Sequence, residues 1–308
     1  MPELPEVETI RRDLESHIID HQITSVHVLS PKTALPNAAF FKDALLGKKV
    51  VCIDRRGKLL IFCIQKKAAP KKKTASQINY LLVHLKMTGQ LIYSDAKQVL
   101  AGGHSYGKMD KTRISSSRSG NDKLPNSHTR VIIEFSGRAT LYFNDLRKFG
   151  YMKIVSELEL NKILNTNYGP EPLTPAFTVS ALEKTLQGRK LKIKALLLDQ
   201  KRISGLGNIY VDEALYAARI KPSRLAGSLS KSEIKILHHE INRIIKAAVK
   251  NRGTTFSDYV DSSGKKGNFS RYLQVYGKQG STCPSCGSSI SKIKLAGRGT
   301  HFCPKCQV

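Results

Sequence analysis

The spacing of hydrophobic residues changes about halfway along the 308-residue chain. Near the N-terminus, apolar residues recur at helical spacing after Pro5, which predicts an opening helix with one apolar face: Val7, Ile10, Leu14 and Ile18. Strand-like runs follow over residues 23–29, 49–54, 59–65, 80–85, 131–135, 140–144 and 151–155. The segment 55–58 between two of these runs is predicted to be the turn of a hairpin.

From residue 156 onward the pattern turns helical, with helices predicted over 179–186, 193–198, 208–218 and 230–251. The last helix begins with a capping box, because Ser230 is followed three residues later by Glu233, and Gly253 ends it. A connector rich in Gly, Ser and Lys then leads to a small cysteine module. These changes divide the chain into segments 1–155, 156–280 and 281–308.

Two segments interrupt the strand-rich half, at 66–77 and 96–126. Both are basic and poor in large apolar residues, so they are predicted to be flexible loops that bury no core. Cys52 and Cys63 lie instead within alternating apolar runs, where buried core thiols are expected.

The chain carries 51 Lys and Arg against 24 Asp and Glu, a formal net charge of +27. This excess indicates a polyanionic partner, with nucleic acid favoured over an anionic membrane surface. A charge that serves only solubility is the third interpretation. No apolar run approaches the roughly 18 residues of a membrane span, and acids stand at the N-terminus where a signal peptide has bases. We therefore expect a cytoplasmic protein.

The remaining cysteines form two Cys-x-x-Cys pairs on either side of residues 287–302: Cys283, Cys286, Cys303 and Cys306. Two such pairs can supply four thiolates to one tetrahedral Zn²⁺. The residues between them have the pattern of a β-hairpin with Arg298 near its tip, and His301 is expected on the surface. Because four protein ligands leave no open position, the ion is expected to be structural and to supply folding energy.

Further motifs occur in a fixed order along the chain: MPELPEVET at 1–9, RRGKLL at 55–60, HLKMTGQL at 84–91, NDLRKFG at 144–150, LDQKRISGLGNIYVDEALYAARIKP at 198–222, LQVYG at 273–277 and GRGTHFCPKCQ at 297–307. Together they resemble the bacterial formamidopyrimidine-DNA glycosylase family, whose members remove oxidised purines such as 8-oxoguanine. The resemblance implies a multidomain α+β fold. An N-terminal β-sandwich with flanking helices precedes a helical helix–two-turn–helix domain with a β-hairpin zinc finger.

The resemblance also implies a bifunctional DNA glycosylase and AP lyase. Removal of the initiator Met exposes the secondary amine of Pro2, which attacks C1′ of the damaged nucleotide and forms an iminium that serves as an electron sink. Glu3 corresponds to an acid/base group that assists sugar opening, and Glu6 to a supporting carboxylate. Lys58 corresponds to a lysine that assists β-elimination, and Arg298 to an arginine that contacts phosphates and assists δ-elimination.

Removal of the damaged base requires that it leave the stack. By the same resemblance, three side chains fill the resulting gap in the duplex: Met87, Arg147 and Phe149. Further DNA contacts correspond to Asn208, Arg189 and His128, of which Asn208 stands at the predicted N-cap of a helix, a place suited to phosphate. Residues 254–271 resemble the family's loop that closes over the flipped base.

Two alternatives stay open: an endonuclease VIII-like enzyme for oxidised pyrimidines, and a non-enzymatic zinc protein that binds damaged DNA. Retention of Met1 would favour the second, because the Pro2 nitrogen would then be an amide. The resemblance implies double-stranded DNA containing a damaged base as the partner, one structural Zn²⁺, no membrane and no obligate protein partner. It also implies a monomer in the bacterial cytoplasm, associated with the nucleoid through DNA.

Overall fold

The computed structural model describes residues 2–66, 79–103, 124–254 and 268–308. Its helices are α1 (Leu4–Ile18), α2 (Ala38–Leu45), α3 (Glu157–Asn167), α4 (Val179–Leu186), α5 (Ile193–Leu197), α6 (Asn208–Ala217) and α7 (Lys231–Lys250). Its strands are β1 (Ile23–Val28), β2 (Ala34–Leu35), β3 (Lys48–Arg56), β4 (Leu59–Lys66), β5 (Asn79–His84), β6 (Gly89–Ser94), β7 (Val99–Gly103), β8 (Thr129–Phe135), β9 (Ala139–Asp145), β10 (Tyr151–Val155), β11 (Ser291–Leu295) and β12 (Arg298–Phe302).

The chain divides into two compact units. The first contains the residues up to Lys162 and also Thr254, and the second contains 163–253 and 268–308. Among the described residues, the strands of the first unit form two five-stranded sheets, ordered β1-β8-β9-β6-β7 and β2-β10-β5-β4-β3. Buried side chains of both sheets belong to one core, which makes this unit a β-sandwich.

Helices α1 and α2 cover apolar parts of the sandwich. The four apolar residues predicted to share one face of α1 are all buried: Val7, Ile10, Leu14 and Ile18. Helix α1 contacts β3 and β7, and α2 contacts β1. The prediction of a one-sided opening helix is therefore confirmed, and its N-terminal residues are held against the sandwich.

The predicted strands are present with shifts of no more than two residues at their ends, but several elements were not predicted. Helices α2 and α3 and strands β2, β6 and β7 are absent from the sequence-based prediction. Strand β7 lies inside 96–126, so the prediction of a coreless loop there is wrong over Val99–Gly103, where Leu100 is buried. Its cross-strand partner β6 supplies the pairing, which local composition does not reveal. Residues 67–77 and 104–123 of the two predicted loops lie outside the described residues.

In the second unit, α4 matches its predicted range, α5 and α6 end one residue earlier than predicted, and α7 is one residue shorter at each end. The predicted capping box at the start of α7 is confirmed, since Ser230 and Glu233 exchange side-chain and backbone hydrogen bonds. Strands β11 and β12 form the predicted hairpin, which turns through Ala296 and Gly297, both at positive φ. No helix in the described parts of the chain is long and apolar enough to cross a membrane.

Candidate active site and nucleic-acid interface

The N-terminal residues of the first unit are buried at the start of α1. Pro2 and Glu3 are both buried, and Glu3 is the residue that precedes the helix. The backbone N–H of Glu3 donates to Glu6 Oε2 at 3.0 Å. Glu6 Oε1 accepts from the backbone N–H of Thr254 at 2.7 Å and from its hydroxyl at 3.0 Å. The Glu6 carboxylate therefore fixes the backbone beside Pro2, which suits the supporting role implied for it.

Lys58 lies in the turn between β3 and β4, where Gly57 has a φ of +57°. Although it lies in a turn, Lys58 is only 5% exposed. A carbonyl oxygen of this turn is held from the side, because Arg55 Nη1 donates to Gly57 O at 2.9 Å. Burial of the lysine stem gives its ammonium group a defined position, as a group that acts on one phosphate or proton requires.

Helix α1 and the β3–β4 hairpin are joined by the carboxylate of Glu8. Glu8 accepts from Arg12 Nε at 2.7 Å, from Arg11 Nη2 at 3.1 Å and from Arg55 Nε at 3.0 Å. Burial alone would raise the pKa of Glu8, but the hydrogen bonds and charges of Arg11, Arg55 and Arg12 lower it to about 2. Glu8 is therefore ionised at neutral pH and links the helix that follows Pro2 and Glu3 to the turn that carries Lys58.

His84 is a further candidate phosphate ligand of this unit, and neither its spacing nor its residue type indicates this role. It pairs with Leu59 across β4 and β5, and Leu59 directly follows Lys58 in the chain. Burial, together with the charges of Lys86 and Lys58, lowers the pKa of His84 to about 3, so the ring is neutral. Its Nδ1 accepts from the backbone N–H of Lys86 at 3.0 Å, which assigns the ring proton to Nε2. A neutral Nε2–H donor beside two lysines is suited to bind a phosphate oxygen. The only sequence feature that pointed to His84 is its position at the start of the motif HLKMTGQL at 84–91.

The three predicted wedge residues are accessible rather than packed in the core. Met87 is half-buried, Arg147 is exposed and Phe149 is 55% exposed. The guanidinium carbon of Arg147 lies 4.7 Å from the centroid of the Phe149 ring, within the range of a cation–π contact. Lys86, before Met87, and Lys148, between Arg147 and Phe149, have positive φ values of 49° and 56°. Such backbone strain in non-glycine residues clusters at functional sites.

Asp145 connects the two loops that carry the wedge residues. This carboxylate is fully buried and accepts from the hydroxyl of Thr88, from Arg147 N at 3.2 Å and from Gly150 N at 2.6 Å. The hydroxyl oxygen of Thr88 also accepts from Arg147 N at 3.1 Å. Thr88 immediately follows Met87, so one carboxylate holds both loops in place.

His128 and Arg189 differ in how their surroundings hold them. His128 is half-buried beside β8, with its backbone N–H donating to Asn126 Oδ1 at 2.9 Å and its carbonyl accepting from Asp145 N. The side chain of Arg189 is exposed after α4, and its carbonyl accepts from Gly227 N at 3.0 Å. The DNA contacts of both residues stay predictions.

In the second unit, α6 and the β11–β12 hairpin meet through the carbonyl oxygen of Gly299. It accepts from Asn208 Nδ2 at 3.0 Å and from Lys194 Nζ at 3.1 Å. Asn208 is the first residue of α6, and Gly207 is the N-cap, so the predicted cap position is one residue too late. Arg298, next to Gly299, is exposed at the start of β12. The structure thus brings Asn208 close to the backbone that carries Arg298.

A buried ion pair stabilises the same contact. Lys194 and Asp212 are both 0% exposed, and Lys194 Nζ lies 2.6 Å from Asp212 Oδ1. Asp212 Oδ2 accepts from the backbone N–H of His301 at 2.9 Å. His301 is 5% exposed and contacts the ring of Tyr276, so its predicted surface position is wrong. The sequence pattern could not show this, because its partners are distant in the chain.

The four C-terminal cysteines converge as their spacing predicts. Their sulfur atoms all lie within 4.8 Å of one another, a separation at which one ion can bind all four. The hydroxyl oxygen of Tyr216, on α6, lies 3.4 Å from Cys283 Sγ and 2.8 Å from Ser285 Oγ. Four soft thiolates in one cluster fit Zn²⁺, and Tyr216 links this cluster to the helical part of the unit.

Three family models match consecutive parts of the chain. The formamidopyrimidine-DNA glycosylase N-terminal domain matches residues 1–152, the H2TH domain of the same enzyme matches 168–260, and a zinc finger found in FPG and IleRS matches 280–308. Formamidopyrimidine-DNA glycosylase of Pelotomaculum thermopropionicum is 40% identical over 100% of this chain and 99% of the relative. That of Desulfitobacterium hafniense is 38% identical over 100% of both.

The chain belongs to the formamidopyrimidine-DNA glycosylase family. Solved structures of Lactococcus lactis Fpg agree, one in complex with abasic-site DNA and one with DNA containing N7-benzyl-Fapy-dG. Each has a TM-score of 0.81 and covers 99% of both chains, with 35% and 36% sequence identity. The family membership and fold implied by the sequence motifs are therefore confirmed. The four cysteines belong to the zinc finger of this family and fit one structural Zn²⁺.

Proposed function

We propose that this protein is a bifunctional DNA glycosylase and AP lyase that excises oxidised purines from duplex DNA in base excision repair. The observation that carries the proposal is the buried Pro2–Glu3 pair at the start of α1, in a chain that matches the family over its full length. Both the family match and the chemistry of these residues favour the enzyme over a protein that only binds damage.

The chemistry begins with the nitrogen of Pro2, once Met1 has been removed. The amine forms a bond to C1′ as the glycosidic bond breaks and the oxidised purine leaves with a proton, and the sugar ring then opens to give the iminium. Glu3, the neighbouring buried carboxyl group, donates a proton to the ring oxygen of the sugar as the ring opens. The cationic iminium withdraws electrons, so a base can remove a C2′ proton and expel the 3′ phosphate, followed by the 5′ phosphate.

The elimination steps depend on groups that bind phosphate. Lys58 and the Nε2–H of His84 provide a cation and a neutral donor in the first unit, and Arg298 and Asn208 provide a guanidinium and an amide in the second. A guanidinium can bind two phosphate oxygens at once, which suits Arg298 to the phosphates that flank the lesion. These contacts hold the strand while the departing phosphates develop charge.

Base extrusion depends on the accessible wedge. Met87 and Phe149 are apolar and reach solvent, so they can enter the space that the damaged nucleotide leaves, while Arg147 can hydrogen-bond the orphaned base. The net charge of +27 adds a salt-sensitive attraction to DNA that is independent of sequence.

We further propose that the protein acts in the bacterial cytoplasm, associated with the nucleoid through DNA. We also propose that the chain has three domains, which span residues 1–155, 156–280 and 281–308.

Borohydride trapping tests the proposal on a duplex that contains 8-oxoguanine opposite cytosine. The protein, shown by mass spectrometry to lack Met1, should form a covalent adduct with the DNA. The Pro2→Gly variant should lose trapping and base release while its zinc content and circular dichroism stay unchanged. Absence of an adduct with correctly processed protein would refute the proposal, and faster excision of thymine glycol than of 8-oxoguanine would assign the enzyme to oxidised pyrimidines.

A further inference from the structure

The β3–β4 hairpin contains a disulfide between Cys52 and Cys63. The two residues are direct cross-strand partners, and their Cα atoms lie 5.1 Å apart. The expectation of two buried core thiols is therefore wrong, since Cys63 is buried but Cys52 is only half-buried. The register of β3 against β4 brings the sulfur atoms together, and the sequence alone does not determine this register.

The disulfide lies at a weak point of the hairpin. The β3–β4 register shifts between Val50 and Cys52, which interrupts the ladder on the side away from the turn. On the turn side the pairing continues without a shift from Cys52 opposite Cys63 to Arg56 opposite Leu59. The disulfide therefore closes the segment that leads to Gly57 and Lys58, at the first pair beyond the irregularity.

Cys52 is also the more accessible of the two cysteines. Cys52 is half-buried on β3, the last strand of its sheet, whereas Cys63 is 7% exposed on β4, which has a strand on either side. The carboxylate oxygen Oδ2 of Asp54 lies 3.8 Å from Cys52 Sγ and can accept a hydrogen bond from that sulfur when it is a thiol. One accessible and one shielded cysteine, already paired, are the parts of a reversible dithiol–disulfide couple.

We propose that Cys52 and Cys63 form a redox modification site whose oxidised form stiffens the hairpin that carries Lys58. The oxidant class is a small disulfide such as oxidised glutathione. The Cys52 thiolate attacks one sulfur of that disulfide, forming a mixed disulfide and releasing one glutathione thiolate. The Cys63 thiolate then attacks Cys52 Sγ and releases the second, so the protein loses two protons and two electrons and glutathione gains both electrons. Excess glutathione or dithiothreitol reverses both steps.

The first experiment maps the bond in the zinc-loaded, full-length protein. After incubation with oxidised glutathione, remaining thiols are alkylated and peptides are identified by mass spectrometry. We expect one cross-linked peptide pair that contains Cys52 and Cys63, its loss after dithiothreitol, and an unchanged zinc content. Alkylation of both cysteines after oxidation, or a stable glutathione adduct on Cys52, would overturn the proposal. The Cys52→Ser variant provides the control for peptide assignment.

The second experiment measures the hairpin itself, by hydrogen exchange of peptides that cover residues 52–63. Reduction should speed amide exchange near the turn by roughly tenfold in the wild type. The same treatment should leave the Cys52→Ser/Cys63→Ser variant unchanged. Equal exchange in both redox states of the wild type would refute the stiffening.

The effect on activity depends on the proposed function, because it requires Lys58 to act in the lyase reaction. Single-turnover borohydride trapping should then be about threefold slower in the reduced protein. The reason is that the looser turn holds Lys58 in the reactive position for a smaller fraction of the time. The double serine variant should show the slower rate in both conditions. Identical rates in both redox states would refute this link to Lys58. Absence of any trapping, with the bond correctly mapped, would refute the proposed function and leave the redox site standing.

Discussion

Replacement of Asp145 should impair base extrusion while leaving the chemistry of Pro2 intact. Asp145 is fully buried and accepts from the Thr88 hydroxyl, from the Arg147 backbone N–H and from the Gly150 backbone N–H. It does not belong to the N-terminal site, but it holds both loops that carry the wedge. Its removal should therefore move the wedge without changing the nucleophile.

The magnitude follows from the donors that lose their acceptor. Arg147 N keeps Thr88 Oγ1 as a second acceptor, whereas Gly150 N–H is left buried and unsatisfied by an alanine. An unsatisfied buried donor costs about 1–3 kcal/mol, and a hydrogen bond to a charged acceptor is worth about 1.5–3 kcal/mol. Asp145→Ala should thus lower the free energy of unfolding by roughly 2.5–6 kcal/mol. Asp145→Asn, which retains one acceptor oxygen, should lose about half of this.

The assay compares two substrates of one enzyme. On duplex DNA containing 8-oxoguanine, Asp145→Asn should reduce the single-turnover excision rate by about 10–100-fold. This corresponds to an activation free energy that is about 1.4–2.8 kcal/mol higher because the wedge residues are no longer held in position. On a single-stranded abasic site no base must be extruded, so borohydride trapping should stay within about twofold of wild type. Thr88→Ser, which keeps the hydroxyl, is the matched control and should excise normally.

Two results would refute this reasoning. An equal loss on both substrates by a folded Asp145→Asn protein would show that Asp145 supports the chemistry rather than the wedge. Undiminished excision on the duplex would show that the wedge does not depend on the carboxylate. Circular dichroism and the thermal midpoint distinguish both results from simple unfolding.

Three further predictions concern other parts of the molecule. Asp212→Ala leaves Lys194 buried without its carboxylate partner and should lower the free energy of unfolding by about 3–5 kcal/mol. It should also abolish δ-elimination, because the strand that carries Arg298 is displaced. An unchanged thermal midpoint and an unchanged product pattern would contradict this. Cys303→Ser should lower the zinc content measured by a colorimetric chelator and abolish DNA binding, whereas full zinc retention would exclude a four-cysteine site. The pKa of Glu8 is about 2 in the folded protein, against an ordinary value of 4.5. The ionised carboxylate therefore stabilises the fold fully above pH 4.5, and this stabilisation is lost as the pH falls towards 2. Glu8→Gln should flatten the pH dependence of the unfolding free energy over that range, and parallel curves for variant and wild type would disprove the role of Glu8.

Several features of this protein are local and could be predicted from the sequence. The one-sided apolar pattern of α1, the capping box of α7 and the spacing of the cysteine pairs each concern residues a few positions apart. Helical and strand periodicity reflects side-chain geometry within one element, so it can be detected before any partner is known. The motifs and their order along the chain also belong to the sequence, and they indicated the family and the candidate site residues.

Other features depend on pairing between distant segments. Strand β7 became a strand because β6 pairs with it, although its own composition suggested a loop. His301 is buried because Asp212, far away in the chain, accepts its backbone N–H. A buried polar group needs a partner, and that partner is supplied by the fold rather than by neighbouring residues.

The candidate site shows the same division. The residue types of Pro2, Glu3 and Lys58 and their order were determined by the sequence alone, because a proline amine, a carboxyl group and an ammonium group are properties of the residue type. Only the tertiary structure decided that Lys58 is buried, that His84 is neutral beside it, and that Cys52 faces Cys63. The physical reason is that burial, pKa and cross-strand contact are properties of an environment, which arises when strands set their register and the core closes.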